Sequence, residues 1–224
     1  MIDWQPLLLT LQLALVTTVI LFILALPLAH LLANLKSKIK PVFEALISMP
    51  LVLPPTVIGF YLLVAFSPTS GIGEWLNTNL NIQLAFTFEG LVLASMIYSL
   101  PFMVQPLQNG YNKVPRSLIE AAQTMGKNRW QIFTKVQIPI MKPAVTTALV
   151  LSFAHTIGEF GVALMIGGNI PGETRVASIA IYDQVEAMNY HAANTYSIIL
   201  IALSFVILAL LYALNRNSAT SISQ

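Results

Sequence analysis

The chain has 224 residues, 56% of them hydrophobic and only 9% charged, with a mean hydropathy of +0.75 and a formal net charge of +2. A soluble domain carries about 25% charged residues, so this composition excludes a water-facing globule and makes the bilayer the expected solvent. There is no cysteine, which excludes disulfides and thiolate metal sites.

The opening Met1-Ile2-Asp3-Trp4-Gln5-Pro6 has an acid and no base before a long apolar run. That run is too long for the core of a cleaved signal, so a retained first span is expected over residues 7–35. A second span is expected over residues 42–66. Pro50, Pro54 and Pro55 lie inside it, and each proline removes a donor and clashes one turn back. The segment is either a kinked helix packed on its neighbours or a break beside a water-filled path, where irregular backbone is tolerated at membrane depth. A third span is expected over residues 84–107.

Residues 120–139 read EAAQTMGKNRWQIFTKVQIP, a polar interlude in an apolar chain. Pro115 suits a first helical turn. Leu118, Ala122 and Met125 share one face, and Gly126 is a natural stop. Asn128 with Gln131 forms a capping box for a second short helix carrying Trp130, Phe133 and Val136, expected to end before Pro139. Two readings stand side by side: a plug for a partner's groove, or an amphipathic segment lying on the inner leaflet.

A fourth span is expected over residues 143–166, with His155 and Glu159 inside it one turn apart. An intramembrane acid suggests a cation path or proton relay. Beside an anion path it is expected near the outer end, hydrogen-bonded or paired with a base. His155 is read as a satisfied core histidine, and His30 as interfacial. A fifth span is expected over residues 195–214. Residues 176–190 would make a sixth, but Asp183, Gln184 and Glu186 make insertion costly, so a surface or partly buried helix is expected there.

Charge orients the five-span arrangement. Lys36, Lys38, Lys40, Lys113, Arg116, Lys127, Arg129, Lys135, Lys142 and Arg216 fall on one side and only Arg175 on the other. The positive-inside rule makes the basic side cytoplasmic, with the N-terminus outside and the C-terminus inside. The expected fold is an all-α polytopic bundle. Residues 4–214 form the membrane domain, with 111–141 as its cytoplasmic segment and 215–224 as a polar cytoplasmic tail.

Glu120-Ala121-Ala122, then Gly126, then Val136, Ile138 and Pro139 match the spacing of the cytoplasmic motif in binding-protein-dependent ABC importer permeases of type I. The chain resembles that family. Val136 and Ile138 stand where isoleucine and leucine are usual. The resemblance implies that Glu120, Ala121, Ala122, Gly126, Trp130, Phe133 and Pro139 couple to a partner ATPase. Gly158-Glu159-Phe160-Gly161, residues 169–175 (NIPGETR) and residues 49–59 (MPLVLPPTVIG) look like the molybdate permeases of the family, with sulfate and tungstate permeases as near relatives. The stretch after Arg175 departs from that pattern. The partners implied by the resemblance are a pair of ATPase subunits, a periplasmic oxyanion-binding protein, a second copy of the chain, and the lipid of a bacterial inner membrane; nucleic acid has no place.

No Gly-x4-Gly-Lys-Ser/Thr loop is present, so ATP and magnesium belong on the partner. No cofactor, metal site or catalytic residue is read on this chain, which is expected to be a non-enzymatic subunit. Without a fixed base in the path, a dianion would be held by backbone N–H groups, hydroxyls and helix ends. Pro54, Pro55, Thr56, Ser99, Ser152, Thr156 and Glu159 are the path candidates, with Ser95 considered beside them. Small polar residues also glue helices together, and that reading stands for each hydroxyl. Outer loops 67–83 and 167–193, with Glu173 and Arg175, are the candidate docking surface for the binding protein. Rival classes are a proton-coupled secondary transporter built on Glu159 and His155, and a membrane enzyme.

Overall fold

The computed structural model describes residues 3–220, which are helical with no strand. In chain order the helices are α1 Gln5–Asn34, α2 Lys40–Val52, α3 Pro55–Phe66, α4 Gly71–Leu80, α5 Phe88–Asn112 and α6 Arg116–Thr124. Next come α7 Arg129–Ile132, a π-turn Phe133–Gln137, α8 Ile138–Ile157, α9 Gly161–Gly167, α10 Ala177–Glu186 and α11 Tyr190–Thr220.

Four helical stretches are long and apolar enough to cross a membrane: Gln5–Asn34, Phe88–Asn112, Arg129–Ile157 and Tyr190–Leu210. The bent pair Lys40–Val52 and Pro55–Phe66 makes a fifth. Its two halves meet at 109°, which is more than a proline kink. Leu53 and Pro54 are extended between them, because Pro54 and Pro55 withhold the donors that would continue α2. The fourth span also differs from expectation. It starts at Arg129 rather than Pro143 and ends at Ile157 rather than Ile166, broken by Gly158-Glu159-Phe160 before α9.

Residues 176–190 are not among the stretches long and apolar enough to cross. They contain α10, whose ten residues span only about 15 Å against a hydrocarbon core of about 30 Å. Ala177, Ile179 and Ala180 are buried against the bundle, so the expected partly buried helix is what forms. α11 continues to Thr220, and residues 221–224 lie outside the described residues.

α1, α5 and α8 form the centre. Leu21, Ala25, Ala29 and Leu32 of α1 pack on Met103, Val104 and Leu107 of α5 and on Met141 and Ala148 of α8. Alanines recur at these contacts because apolar side chains gain nothing over lipid in a membrane. Close approach of small residues supplies the dispersion energy instead. A second cluster joins Leu13 and Leu91 to Ala163, Val176 and Ile179, which docks α9 and α10 on the same core. α11 shows mainly apolar, exposed residues such as Ile201 and Phe205, as lipid requires.

One buried hydroxyl ties distant parts of the chain. α10 has no side-chain cap of its own at Val176. The Ala177 N–H donates instead to Thr10 Oγ1 at 2.8 Å, while that hydroxyl donates to the Pro6 carbonyl at 2.7 Å. Thr10→Val keeps the shape and removes both bonds. It is expected to cost about 1–3 kcal/mol, read as earlier thermal unfolding in detergent.

Candidate coupling segment and translocation path

α5 runs out of the apolar bundle at the end that carries most of the basic residues. Pro115 is the N-cap of α6, and Ala122 is the buried residue of that helix. Leu118 and Met125, which share the apolar face of α6 with Ala122, are exposed, Met125 at 74%. Gly126 takes φ +73°, a left-handed conformation that turns the chain without a Cβ penalty. Asn128 accepts from the Gln131 N–H at 2.8 Å, and the Gln131 side chain accepts from the Asn128 N–H at 3.2 Å, closing the expected capping box.

The second short helix does not end before Pro139. α7, the π-turn and α8 are one continuous helix. In the π-turn the Ile138 N–H reaches back to the Phe133 carbonyl, and the widened turn admits Pro139 into the first turn of α8, where its missing donor is tolerated. Only α6 is a separate helix. Phe133 is half-buried and packs on the central cluster, so it is not a free anchor. Trp130 is 71% exposed, with its ring 5.6 Å from that of Phe133. Glu120 and Ala121 are exposed, and the Glu120 carboxylate makes no ion pair or hydrogen bond among the described residues. Leu118, Met125 and Trp130 therefore stand out as unburied apolar groups around a free carboxylate and Gly126.

The two helix breaks meet. A Cβ built on Gly161, at the start of α9, would lie 2.8 Å from Cβ of Pro55, at the start of α3. Gly59 and Met165 make the next contact along the same pair of helices. A cavity of about 520 Å³ opens at this junction, lined in part by Pro55, Thr56, Tyr98, His155, Gly158 and Glu159. Pro54 and Thr56 are exposed beside it.

The other path candidates are elsewhere. Ser99, Ser152 and Thr156 are fully buried between α5 and α8. The Ser99 hydroxyl is 3.1 Å from Thr156 Oγ1 and 3.0 Å from His155 Nδ1, and Thr156 donates to the Ser152 carbonyl at 3.0 Å. Ser99 thus links α5 to α8, while the Ser152 hydroxyl has no hydrogen-bond partner among the described residues. His155 is the satisfied core histidine expected, stacked on Phe102 at 4.1 Å and tilted against Tyr98.

Glu159 departs from expectation. It is 4% exposed, and neither carboxylate oxygen has a hydrogen bond or a base among the described residues. Ser95 is its neighbour on α5, yet the two do not reach hydrogen-bonding geometry. No hydrogen bond links Glu159 to His155 among the described residues. The backbone around Glu159 is held nonetheless, since Ser178 of α10 donates to its carbonyl at 2.6 Å.

Arg175 is engaged within the chain. Its guanidinium lies 3.4 Å from Asp183 and donates from Nε to Asn169 Oδ1, and the Asn169 amide donates to Asp183. Thr174, wholly buried, accepts from the Ile170 N–H and donates to the Gly167 carbonyl, fixing the same loop. Glu173 is exposed. Sequence reasoning misses the Asn169–Arg175–Asp183 clamp, although a lone base with an acid eight residues on is a signal for it. Arg175→Ala is expected to cost less than about 1 kcal/mol of global stability, because the pair is partly solvated. Limited proteolysis should nevertheless cut residues 168–175 several times faster.

Residues 22–224 match the family described as binding-protein-dependent transport system inner membrane component. The chain belongs to this family. Its members are multi-pass inner-membrane components of transport systems rather than enzymes. Among relatives, this permease is 46% identical over 218 residues to the molybdenum transport system permease protein ModB of Azotobacter vinelandii, covering 97% of this chain and 96% of that one. It is 33% identical over 199 residues to the sulfate transport system permease protein CysT of Escherichia coli, covering 89% of this chain and 72% of the other. The fold is shared with a bacterial alginate ABC transporter solved in complex with an alginate-bound periplasmic protein, at a TM-score of 0.75 and 18% identity. That match covers 95% of this chain and 78% of the other.

Proposed function

We propose that this permease forms the path of an ATP-driven importer for a tetrahedral oxyanion, with molybdate as the cargo. The carrying observation is the 46% identity, across nearly the whole of both chains, to a protein named for molybdenum transport. In this reading the basic end faces the cytoplasm, the N-terminus is outside, and the C-terminus is inside. Two ATPase subunits bind ATP and magnesium. They grip the segment around Glu120, Ala121, Ala122 and Gly126, with Leu118, Met125 and Trp130 as apolar anchors. Phe133 and Pro139 set the angle at which that segment joins α8.

Two copies of the chain enclose the path. The junction of the helix breaks, with Pro54, Pro55, Thr56 and Glu159, faces the cargo. The cargo is held weakly, since no lysine or arginine lines the cavity there, and weak holding suits conduction. Ser99, Ser152 and Thr156 support the path from behind. A periplasmic binding protein delivers the anion to the outer loops. Glu173 contacts it directly, and Arg175 acts through the loop shape it fixes. Cross-linking from cysteines at positions 173 and 175 should capture the binding protein, and absence of any adduct would refute this docking face.

The similarity to CysT supports a second reading, in which sulfate or thiosulfate is carried; tungstate is a third cargo of the same shape. A proton-coupled transporter is disfavoured because Glu159 and His155 are not joined. The test is reconstitution of the chain with its ATPase and binding protein in proteoliposomes. Molybdate uptake should require ATP and exceed sulfate uptake at least about tenfold. Uptake driven by a proton gradient without the ATPase would overturn the assignment.

A further inference from the structure

A cavity of about 720 Å³ lies between the second half of α1, α6, and the α7 and π-turn segment. Leu26, Ile119, Ile132 and Phe133 form its apolar walls, and Arg129 and Trp130 line it as well. None of its twelve lining residues is acidic. Arg129 makes no ion pair or side-chain hydrogen bond among the described residues. His30 is also in the lining, its ring edge-on to Tyr111 at 4.9 Å. An adjoining recess of about 370 Å³ shares Asn34, Tyr111, Ile119, Gln123 and Gln137 with the cavity and also holds Arg116 and Glu120.

These features select among ligands. A small soluble anion would satisfy Arg129 and leave the apolar walls wet. A neutral lipid would cover the walls and leave the guanidinium unpaired. An acyl chain joined to an anionic phosphate meets both demands, because guanidinium and phosphate match as a forked pair. The setting suits such a ligand. The cavity is at the basic end of the bundle, where α1 leaves its apolar run, and a tryptophan and a histidine are in its lining.

We infer that this cavity is a binding site for one anionic phospholipid of the leaflet at the basic end. Its phosphate pairs with Arg129 and its acyl chain lies against Leu26, Ile119 and Phe133. The lipid then joins α1 to the first residue of α7, immediately after the Asn128 cap, and braces the coupling segment against the membrane domain. The inference rests on the proposed function in naming that leaflet as the cytoplasmic one and in taking the ATPase subunits as the partners in its test.

The test uses the assembled transporter with its ATPase subunits, in nanodiscs holding diazirine-labelled phosphatidylglycerol or diazirine-labelled phosphatidylcholine at equal mole fraction. After irradiation, adducts are mapped by mass spectrometry within residues 117–137. Phosphatidylglycerol should give about fivefold more adduct than phosphatidylcholine, the preference one base confers near an anionic headgroup. Arg129→Gln should bring the two lipids to parity, Arg129→Lys should keep the preference, and Leu26→Trp should fill the cavity and abolish the adduct. Co-purification of the ATPase subunits verifies that each variant has folded. Equal labelling by the two lipids, a preference unchanged in Arg129→Gln, or no adduct because the ATPase covers the cavity would each overturn the inference. Because the readout is an adduct and not uptake, failure here leaves the transport assignment standing, and failure of the uptake assay leaves this site standing.

Discussion

Gly161→Val is expected to reduce ATP-driven uptake at least about tenfold and to lower thermal stability by about 1–3 kcal/mol, the usual cost of forcing extra carbon into a closed contact. The added Cβ would sit 2.8 Å from the Pro55 ring and 3.5 Å from the Thr56 nitrogen. The proline ring is rigid and cannot turn aside, so α9 or α3 must move. Gly59 cannot absorb the shift, because the Met165 side chain already fills the space beside it. The effect should therefore reach both breaks at once. Gly158→Ala is the control. It lies in the same break, yet its Cβ would meet nothing nearer than 3.8 Å, and it should be nearly silent. Size-exclusion profiles after heating, together with uptake in proteoliposomes, read both effects. Equal behaviour of the two variants would mean that the junction of the breaks is not a point of close packing.

Gly126→Val should act differently. A Cβ at Gly126 meets nothing within 4 Å, so crowding plays no part. The cost lies in φ +73°, which a β-branched residue avoids by roughly 1–2 kcal/mol or more. The chain can relieve that strain by unwinding the turn between α6 and α7, which would displace Glu120 and Ala121 from Trp130. Membrane insertion and thermal stability should stay near wild type, while co-purification of the ATPase subunits and coupled hydrolysis fall at least about tenfold. Gly126→Asn should retain most attachment, because asparagine reaches the left-handed region. If valine and asparagine both leave attachment intact, the segment does not grip the motor.

The two glycines illustrate what is legible from sequence. Gly126 can be assigned locally, because its neighbours Asn128 and Gln131 announce a helix start and only a left-handed residue fits before them. Composition and charge likewise point to the all-α fold and the five apolar stretches. Gly161 cannot be read that way, since its partner Pro55 lies more than a hundred residues away. Pro139 misleads as the end of α7 because proline usually stops a helix, and the π-turn that accommodates it depends on a tertiary setting. Ser99, Ser152 and Thr156 look alike in the sequence as path residues or as helix glue; the pairing of Ser99 with Thr156 across α5 and α8, and the unpaired Ser152 hydroxyl, are tertiary facts that no sequence displays. The partnerless state of Glu159 is hidden for the same reason, because a sequence shows an acid and not what fails to reach it.

The unbroken run from Arg129 to Ile157 has a further consequence. Twenty-nine residues make a rod about 43 Å long. One tip is the first residue after the α7 cap, and the other abuts Gly158 and Glu159. Pivoting such a rod by about 5° at its midpoint sweeps each tip through about 2 Å. Under the proposed coupling, a small stroke delivered at Trp130 would arrive, reversed in direction, at the far junction where Gly161 meets Pro55. In that reading a single lever would carry the signal without a relay of side chains.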